Sequence, residues 1–371
     1  MHNSPTKAKK VPNAMGKPTP ENGTSQATKN HVKLINLALQ GGGSHGAFTW
    51  GVLDRILEDD RLEIEAISGT SAGAMNAVVV AHGMMVDGKE GARAALREFW
   101  RAVSDAGSTS PFQRSWLDIM TGNWSLDHSP SYLMMDVMSK LVSPYEFNPL
   151  DINPLRDLLN KHVDFELVRN CKSLKVLISA TNVETGRVRI FDSDTLTSEM
   201  VMASACLPFM FHAVEIDGDA YWDGGYAGNP VLFPFYNTSK SRDIAVIQIN
   251  PVIRKGVPKN ARDIMNRVNE ITFNNSLLKE FRAINFVSKL IEDGLLDEDE
   301  YKRIFVHVIE ADEALLPLNA SSKVNVEWAF LEHLFEIGRS TAEQWIVDNI
   351  DDLGKKSTVD IRGMYQGLST G

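Results

Sequence analysis

One serine in the chain has the surroundings of a catalytic nucleophile. Ser71 lies at the centre of Gly69-Thr70-Ser71-Ala72-Gly73, which matches the pattern G-x-S-x-G. In this pattern a sharp turn between a strand and a helix lifts the serine hydroxyl clear of the backbone. The following helix offers N–H groups and a favourable dipole to developing negative charge. The bare pattern also arises by chance, but here it lies between a predicted strand and a predicted helix, so Ser71 is our candidate nucleophile.

A second glycine-rich loop precedes this turn and reads Gly41-Gly42-Gly43-Ser44-His45-Gly46. It contains G-x-G-x-x-G, which is also typical of dinucleotide binding. That function requires an acidic residue at the end of the second strand to hold a ribose, whereas Ser68 and the Ser71 turn stand there. An oxyanion hole made of glycine N–H groups accounts for both loops. A plain tight turn between strand and helix is the alternative.

A serine hydroxyl is a poor nucleophile without a base, and the usual base is a histidine held by an aspartate. None of the histidines lies in a turn typical of a catalytic loop; they include His45, His82, His128, His162, His212, His307 and His333. Asp223 differs, because it ends a short strand after a tight hairpin and precedes Gly224 and Gly225. The two glycines allow a close approach of its carboxylate to another loop. The same local sequence is equally compatible with Asp223 being only a turn-forming residue.

With these three motifs in this order, the chain resembles the bacterial-type patatin-like phospholipases. The segment 203–208, Ala-Ser-Ala-Cys-Leu-Pro, is also similar to the family, and the resemblance covers residues 32–251. It implies a three-layer α/β/α fold with a mostly parallel central sheet. It also implies a lipid acyl hydrolase that works through an acyl-enzyme and needs neither a metal nor a cofactor.

The resemblance assigns roles to particular residues. Ser71 would be the nucleophile and Asp223 the base of a Ser–Asp dyad. The N–H groups of Gly42, Gly43 and Ser44 would stabilise the oxyanion. The remaining motif positions are Gly41, Gly46, Gly69, Gly73, Gly224 and Gly225.

The chain departs from the family pattern at two positions of the first loop. The family commonly has an acidic residue where Gln40 stands and an arginine where His45 stands. A histidine can be neutral at pH 7, so the head-group preference stays open. Phospholipid, lysophospholipid, acylglycerol and hydroxyalkanoate polyester are all compatible substrates.

Two other functions are compatible with parts of the pattern. The first is a binding or regulatory protein that keeps the fold with little catalysis. The second is an α/β-hydrolase with a Ser–Asp–His triad that uses His307 or His333. The short spacing between the glycine loop and Ser71, one βαβ unit, argues against the triad.

The elements around the motifs predict a parallel sheet. Residues 34–39 and 64–67 are short apolar runs of strand length, and helical spacing follows each of them, over 47–58 and from Ala74. Such a unit predicts two parallel strands joined by a right-handed crossover. Further strands are predicted at 174–180, 188–191, 213–216, 220–222 and 244–249.

The chain divides into four predicted regions. We predict a disordered basic tail over residues 1–31 and the catalytic domain over residues 32–251. Within that domain 84–160 is a helical and loop-rich insertion, which could cap the site and supply a methionine-rich acyl pocket or an ordinary helix core. Residues 252–371 form a mostly helical extension of unknown role with one strand at 304–309. Its helices are predicted at 261–293, 324–337 and 341–353.

Composition limits the partners. The chain has 371 residues with 38 Lys+Arg and 48 Asp+Glu, a net charge of −10, which argues against nucleic acid. Cys171 and Cys206 cannot form a disulfide framework and are expected to be buried thiols. No apolar run is long enough to span a membrane and the first thirty residues show no secretory pattern, so we expect a cytoplasmic protein with peripheral membrane contact. Asp217, Asp219 and Asp223 resemble the start of a calcium loop, but its fifth and sixth positions would be Tyr221 and Trp222, where an oxygen ligand and a glycine are needed, so we expect no calcium site.

Overall fold

The computed structural model describes residues 32–366, so the predicted tail 1–31 lies outside the described residues. An eight-stranded sheet runs through this part of the chain. Its strands are β1 (Lys33–Leu39), β2 (Leu62–Gly69), β3 (Lys175–Asn182), β4 (Val188–Asp192), β5 (Val214–Ile216), β6 (Asp219–Asp223), β7 (Asp243–Ile247) and β8 (Phe305–Ile309). Their order in space is β5-β6-β3-β2-β1-β7-β8, and β4 pairs with β3. Five strands, β3, β2, β1, β7 and β8, are parallel to one another, whereas β4, β5 and β6 form antiparallel pairs.

Helices form the rest of the regular structure. They are α1 (Gly46–Glu58), α2 (Ala72–Gly107), α3 (Trp116–Met120), α4 (Pro130–Leu141), α5 (Pro144–Phe147), α6 (Pro154–His162), α7 (Phe165–Asn170), α8 (Ser198–Ser204), α9 (Phe235–Thr238), α10 (Ala261–Glu292), α11 (Asp312–Leu315), α12 (Trp328–Asn349) and α13 (Ile361–Gln366). α2 is interrupted at Asp87 and Gly88, whose backbone angles are not helical. Short 3-10 turns occur at Gly43–His45, Gly224–Tyr226 and Ser321–Val324, among others.

The sheet is covered by helices on both faces, which confirms the predicted three-layer α/β/α fold. Successive side chains of a strand point to opposite faces. On β1, Leu37 and Leu39 join the core cluster of α1, α2 and α12, whereas Ala38 joins the cluster with α10 and α13. Because both faces are buried here, β1 ends in a continuous apolar run from Leu37 to Leu39 rather than in an alternating pattern.

The parallel register brings three loops to one edge of the sheet. Leu39, the last residue of β1, is opposite Gly69 of β2 and Ile247 of β7. The chain therefore leaves all three strands at the same level, where ligands bind in open α/β sheets. The glycine loop, the Ser71 turn and the segment after β7 meet at this edge.

The C-terminal region completes the sheet and both helical layers. β8 pairs with β7, α10 covers one face of the sheet, and α12 packs on α1 on the other. The prediction of separate helices at 324–337 and 341–353 is wrong, because α12 runs without interruption through Gly338. A Cβ at Gly338 would lie 2.1 Å from the carbonyl oxygen of Phe48 in α1. This glycine therefore allows a close helix contact and does not end the helix.

The structure contradicts one of the two interpretations of the methionines in the insertion. The predicted helix at 92–103 is the second half of α2, and α4 begins at Pro130. α4 has no buried residue, and Met134 and Leu141 are 69% and 75% exposed. The expectation of an ordinary helix core is therefore wrong for α4. Among residues 32–366, no helix is both long and apolar enough to cross a bilayer.

Candidate active site

The Ser71 turn has the strained backbone that its sequence predicts. β2 ends at Gly69 and α2 begins at Ala72, so only Thr70 and Ser71 connect them. Ser71 has φ +54° and ψ −118°, a backbone conformation that residues other than glycine rarely adopt. Its N–H donates to the Ser204 hydroxyl at 2.9 Å. Strain of this kind persists only where the surrounding structure holds it, and it concentrates at functional sites.

Asp223 is the acidic group beside Ser71. It is the last residue of β6, it is 3% exposed, and its N–H donates to the Cys206 carbonyl at 2.8 Å. Its Oδ1 accepts the N–H of Gly225 at 2.7 Å, and the carboxylate is hydrogen-bonded to the Ser71 side chain. Burial raises the pKa of Asp223 to about 6, against the effect of these hydrogen bonds and of Lys323. The carboxylate is therefore mostly ionised at pH 7 and more basic than an exposed one.

The glycine loop lies directly against this pair. A Cβ on Gly41 would be 2.7 Å from Cβ of Ser71. Gly43 has φ +58°, which favours glycine. Within residues 32–366, no atom accepts a hydrogen bond from the N–H groups of Gly42, Gly43 or Ser44. Three donors of the loop whose Gly41 contacts Ser71 are thus without a partner among the described residues.

The other motif glycines lie where these segments approach one another. A Cβ at Gly46 would be 2.8 Å from Cβ of Ala72, and one at Gly224 would be 2.2 Å from the Ser179 carbonyl oxygen. Gly69 and Gly73 face each other across the Ser71 turn, where a Cβ on Gly69 would be 2.6 Å from the Gly73 oxygen.

A buried amide network that the sequence analysis did not identify holds the glycine loop. Asn229 Oδ1 accepts the Gly41 N–H at 2.6 Å, and Asn250 Nδ2 donates to the Gly41 carbonyl at 2.8 Å. Gln40 Nε2 donates to Asn274 Oδ1, and Gln40 Oε1 accepts the N–H groups of Ile249 and Asn250. Asn229 and Asn250 each precede a proline. Asn-Pro pairs mark turns, so this signal was available in the sequence.

His45 is neutral and does not supply a charge to the site. It is buried, and burial lowers its pKa to about 3. Its Nε2 is 2.8 Å from the Ser322 hydroxyl, which itself donates to the Asn319 carbonyl. Ser322 must therefore accept from His45, which fixes the proton on Nε2.

Lys323 is the cation that the structure brings to the loop. It follows Ser322 in the turn Ser321–Val324, is half-buried, and donates from Nζ to Asn250 Oδ1 at 2.6 Å. Burial lowers its pKa to about 8, so the amine still carries its proton at pH 7. No motif marks this residue in the sequence, because only the docking of a distant segment brings it to the site.

The two histidines of the triad alternative are engaged elsewhere. His307 is buried in β8, with Nε2 2.9 Å from Asp243 Oδ1 and Nδ1 3.0 Å from the Thr358 hydroxyl. Both of its ring nitrogens are therefore occupied. His333 stacks on Trp124 with ring centroids 5.7 Å apart. The Ser71 side chain interacts instead with the carboxylate of Asp223.

Two comparisons of the sequence with known proteins found matches. The sequence profile of the family described as patatin-like phospholipase matches residues 37–236, more than half of the chain. Uncharacterized protein R571 of Acanthamoeba polyphaga mimivirus is 24% identical over 331 residues, which cover 86% of this chain and 96% of that protein.

Solved structures with low overall similarity were also found. VipD from Legionella pneumophila is 14% identical with a TM-score of 0.36, over 86% of this chain and 67% of that one. ExoU of Pseudomonas aeruginosa, in its complex with SpcU, is 15% identical with a TM-score of 0.33, over 86% of this chain and 52% of that one. The chain thus spans about half the length of ExoU.

Proposed function

The chain belongs to the patatin-like phospholipase family, a family of lipid hydrolases, and on that premise we propose that it is a serine acyl hydrolase with a Ser71–Asp223 dyad. One observation carries the proposal. The side chain of Ser71, held in a strained turn, interacts with a buried carboxylate of raised pKa, and the glycine loop against Ser71 carries three N–H groups without partners among the described residues. These are the nucleophile, base and oxyanion donors of acyl transfer.

The reaction proceeds in two balanced halves. Oγ of Ser71 bonds to the ester carbonyl carbon while its proton passes to Asp223, and the carbonyl oxygen becomes an oxyanion facing Gly42, Gly43 and Ser44. The oxyanion collapses, the ester C–O bond breaks, and the alcohol leaves with the proton from Asp223. Water then attacks the acyl-enzyme while Asp223 takes its proton, and the second oxyanion collapses. The fatty acid is released as the bond to Oγ of Ser71 breaks and Asp223 returns the proton to that oxygen.

The test combines active-site labelling with ester hydrolysis. Ser71→Ala and Asp223→Asn should each lower hydrolysis of a short p-nitrophenyl ester by at least roughly 10³-fold. Ser71→Ala should also abolish labelling by a fluorophosphonate. Matched controls are Ser68→Ala, whose buried hydroxyl has no partner among the described residues, and Asp217→Asn on the exposed hairpin. Both should keep full activity.

The possible outcomes separate this function from its alternatives. A folded wild-type chain that neither hydrolyses esters nor reacts with the probe would indicate a binding or regulatory protein. Substantial activity in Asp223→Asn would exclude the dyad. Loss of labelling in His307→Ala or His333→Ala, with the fold intact, would instead favour a histidine triad.

We also propose that the site meets its substrate at a lipid surface. Large apolar side chains are exposed on α3, at the end of α4 and on three loops, and we call them the apolar rim: Trp116, Met120, Leu141, Leu150, Phe209 and Val257, which are 63–83% exposed. Asn325, two residues after Lys323, donates to the Trp124 carbonyl at 3.0 Å near α3. Tyr145 of α5 stacks on His212, close to the Cys206 carbonyl that binds Asp223. Exposed apolar patches of this kind mark contact surfaces.

A further inference from the structure

Lys323 is linked to the nucleophile through a single side chain. Its Nζ donates to Asn250 Oδ1 at 2.6 Å, and Asn250 Nδ2 donates to the Gly41 carbonyl at 2.8 Å. Gly41 in turn lies against Ser71. The amine of Lys323 is therefore held at the glycine loop, although 252 positions separate it from Ser71 in the chain.

The turn that carries Lys323 is docked on the loop at two further points. A Cβ at Gly43 would be 2.3 Å from the Lys323 carbonyl oxygen, so the two backbones are in direct contact. The Ser322 hydroxyl is 2.8 Å from His45 Nε2. Together with the bond to Asn250, these contacts hold the turn that carries Lys323 against the glycine loop.

Among the described residues, no carboxylate lies within ion-pair distance of the Lys323 amine. Four ionisable groups surround it: His45, Arg254, Glu270 and Asp223. His45 is neutral, and Glu270 is already bound by Arg254 at 2.9 Å and Arg267 at 3.0 Å. Asp223 is the remaining carboxylate, and it is hydrogen-bonded to Gly225 and Ser71. One N–H of the amine binds Asn250, which leaves two donors for another ligand.

We propose that Lys323 is a specificity-determining residue that binds an anionic oxygen of the substrate, carried by a phosphate or a carboxylate close to the scissile ester. This inference rests on the proposed hydrolase function and narrows its substrate class to anionic acyl esters. A partly buried ammonium without a carboxylate partner favours such a group, because the attraction is stronger there than in water. The proposal also gives the C-terminal region a part in the site.

The experiment compares three soluble esters that share one acyl chain: monoacylglycerol, monoacylglycerol phosphate and an acyloxybutanoate. They carry no charge, a phosphate and a carboxylate, respectively. The variants are Lys323→Met, Lys323→Arg and the control Lys355→Met, which removes an exposed lysine elsewhere. At pH 7, Lys323→Met should lower kcat/KM for the anionic esters by about tenfold or more, mainly through KM. For monoacylglycerol the change should stay below about threefold, Lys323→Arg should recover part of the loss, and the control should match the wild type.

The two anionic esters identify the source of the charge. Selective loss with the phosphate ester alone assigns a phosphate site, and loss with both assigns a general anion site. An equal loss on all three esters would overturn the proposal and indicate a structural role, as would no loss on any. A wild type that is inactive and unlabelled by the fluorophosphonate would instead refute the proposed hydrolase.

A pH profile gives a second, independent measurement. Lys323 faces Asp223 and lowers its pKa against burial, while Cys206 and Tyr226, which also face Asp223, are neutral at pH 7. In Lys323→Met the fall in the rate of monoacylglycerol hydrolysis toward low pH should therefore begin at a higher pH than in the wild type, and in Lys323→Arg it should begin at the same pH. An unchanged pH profile in Lys323→Met would show that the ammonium does not act on the site.

Discussion

At Asp223 the needs of catalysis and of folding oppose each other. A general base works best when its pKa lies near the working pH, and burial raises the pKa of Asp223 to about 6. The same burial means that the folded protein carries a poorly solvated negative charge at pH 7. Hydrogen bonds from Gly225 and Ser71 compensate in part for that loss of solvation.

We therefore expect Asp223→Asn to be inactive but more stable than the wild type at pH 7. The ordinary pKa is 3.8, so between pH 4 and 6 the folded state binds more protons than the unfolded one, and stability falls as pH rises through that range. The penalty is fully present at pH 7 and amounts to at most about 3 kcal/mol. The measurement is thermal unfolding of both proteins between pH 4 and 8.

The pH dependence is the critical part of this result. The stability difference should be largest at pH 7 and shrink toward pH 4, where both states of the wild type carry little charge at this site. Asp217→Asn, on the exposed hairpin, should show no such trend. A variant that is less stable than the wild type at pH 7 would mean that the carboxylate is better solvated than its burial indicates.

The reacting groups could be predicted from the sequence better than the residues that hold them in position. Ser71 and the glycine loop are visible because backbone geometry restricts residue types there, and glycine or a strained serine leaves a pattern. Asp223 could be predicted as a base only through family resemblance, because the same residues also make an ordinary turn. Lys323 and Asn250 could not be predicted, since their positions depend on how distant segments dock.

At the scale of elements, the contact between α1 and α12 anchors the C-terminal region. A Cβ at Gly51 would lie 2.0 Å from the Phe335 carbonyl oxygen, and Gly338 makes the reciprocal approach to Phe48. Charged side chains add to this contact, since Arg339 of α12 binds Asp54 and Glu58 of α1. Arg93 of α2 binds Asp54 as well, at 3.0 Å.

We expect Gly338→Ala to destabilise the protein although alanine favours helices. The added methyl would overlap backbone atoms of α1, so the two helices must separate, and such overpacking costs about 1–3 kcal/mol. Urea unfolding measures the effect. Ser340→Ala, two residues on and exposed, should change the stability by less than about 0.5 kcal/mol. Equal stabilities of both variants would show that α12 can shift without loss.

The same contact explains why α12 was predicted as two helices. Glycine lowers helix propensity, and Gly338-Arg339-Ser340 reads as a break when only local sequence is considered. Tertiary packing reverses that preference, because only glycine permits the close approach. The buried strands were easier to predict, since apolar runs of strand length between turn residues leave few alternatives.

At the scale of the whole molecule, residues 252–366 supply an edge strand of the sheet and helical cover for both of its faces. Without β8 the edge of β7 is unpaired, and without α10 and α12 each face of the sheet loses helical cover. A chain ended after Pro251 should therefore be insoluble or lack fixed tertiary structure, because exposed sheet edges and faces aggregate. Near-UV circular dichroism and gel filtration provide the measurement. A monomeric fragment that a fluorophosphonate labels would contradict this expectation.

The apolar rim leads to a prediction about membranes that is separate from the chemistry. Each large side chain that enters the acyl region of a bilayer contributes about 1.5–3 kcal/mol when fully buried. A Trp116→Ser, Leu150→Ser double variant should therefore bind neutral phosphatidylcholine vesicles at least roughly tenfold more weakly in sedimentation. Its hydrolysis of a soluble p-nitrophenyl ester should stay unchanged, because neither residue touches Ser71 or Asp223.

The matched control is Leu295→Ser, Val347→Ser, which removes side chains of similar exposure (70% and 65%) on other elements. If this control lost vesicle binding as much as the rim variant, general surface hydrophobicity would explain the binding. If neither lost it, the rim would not be the contact surface.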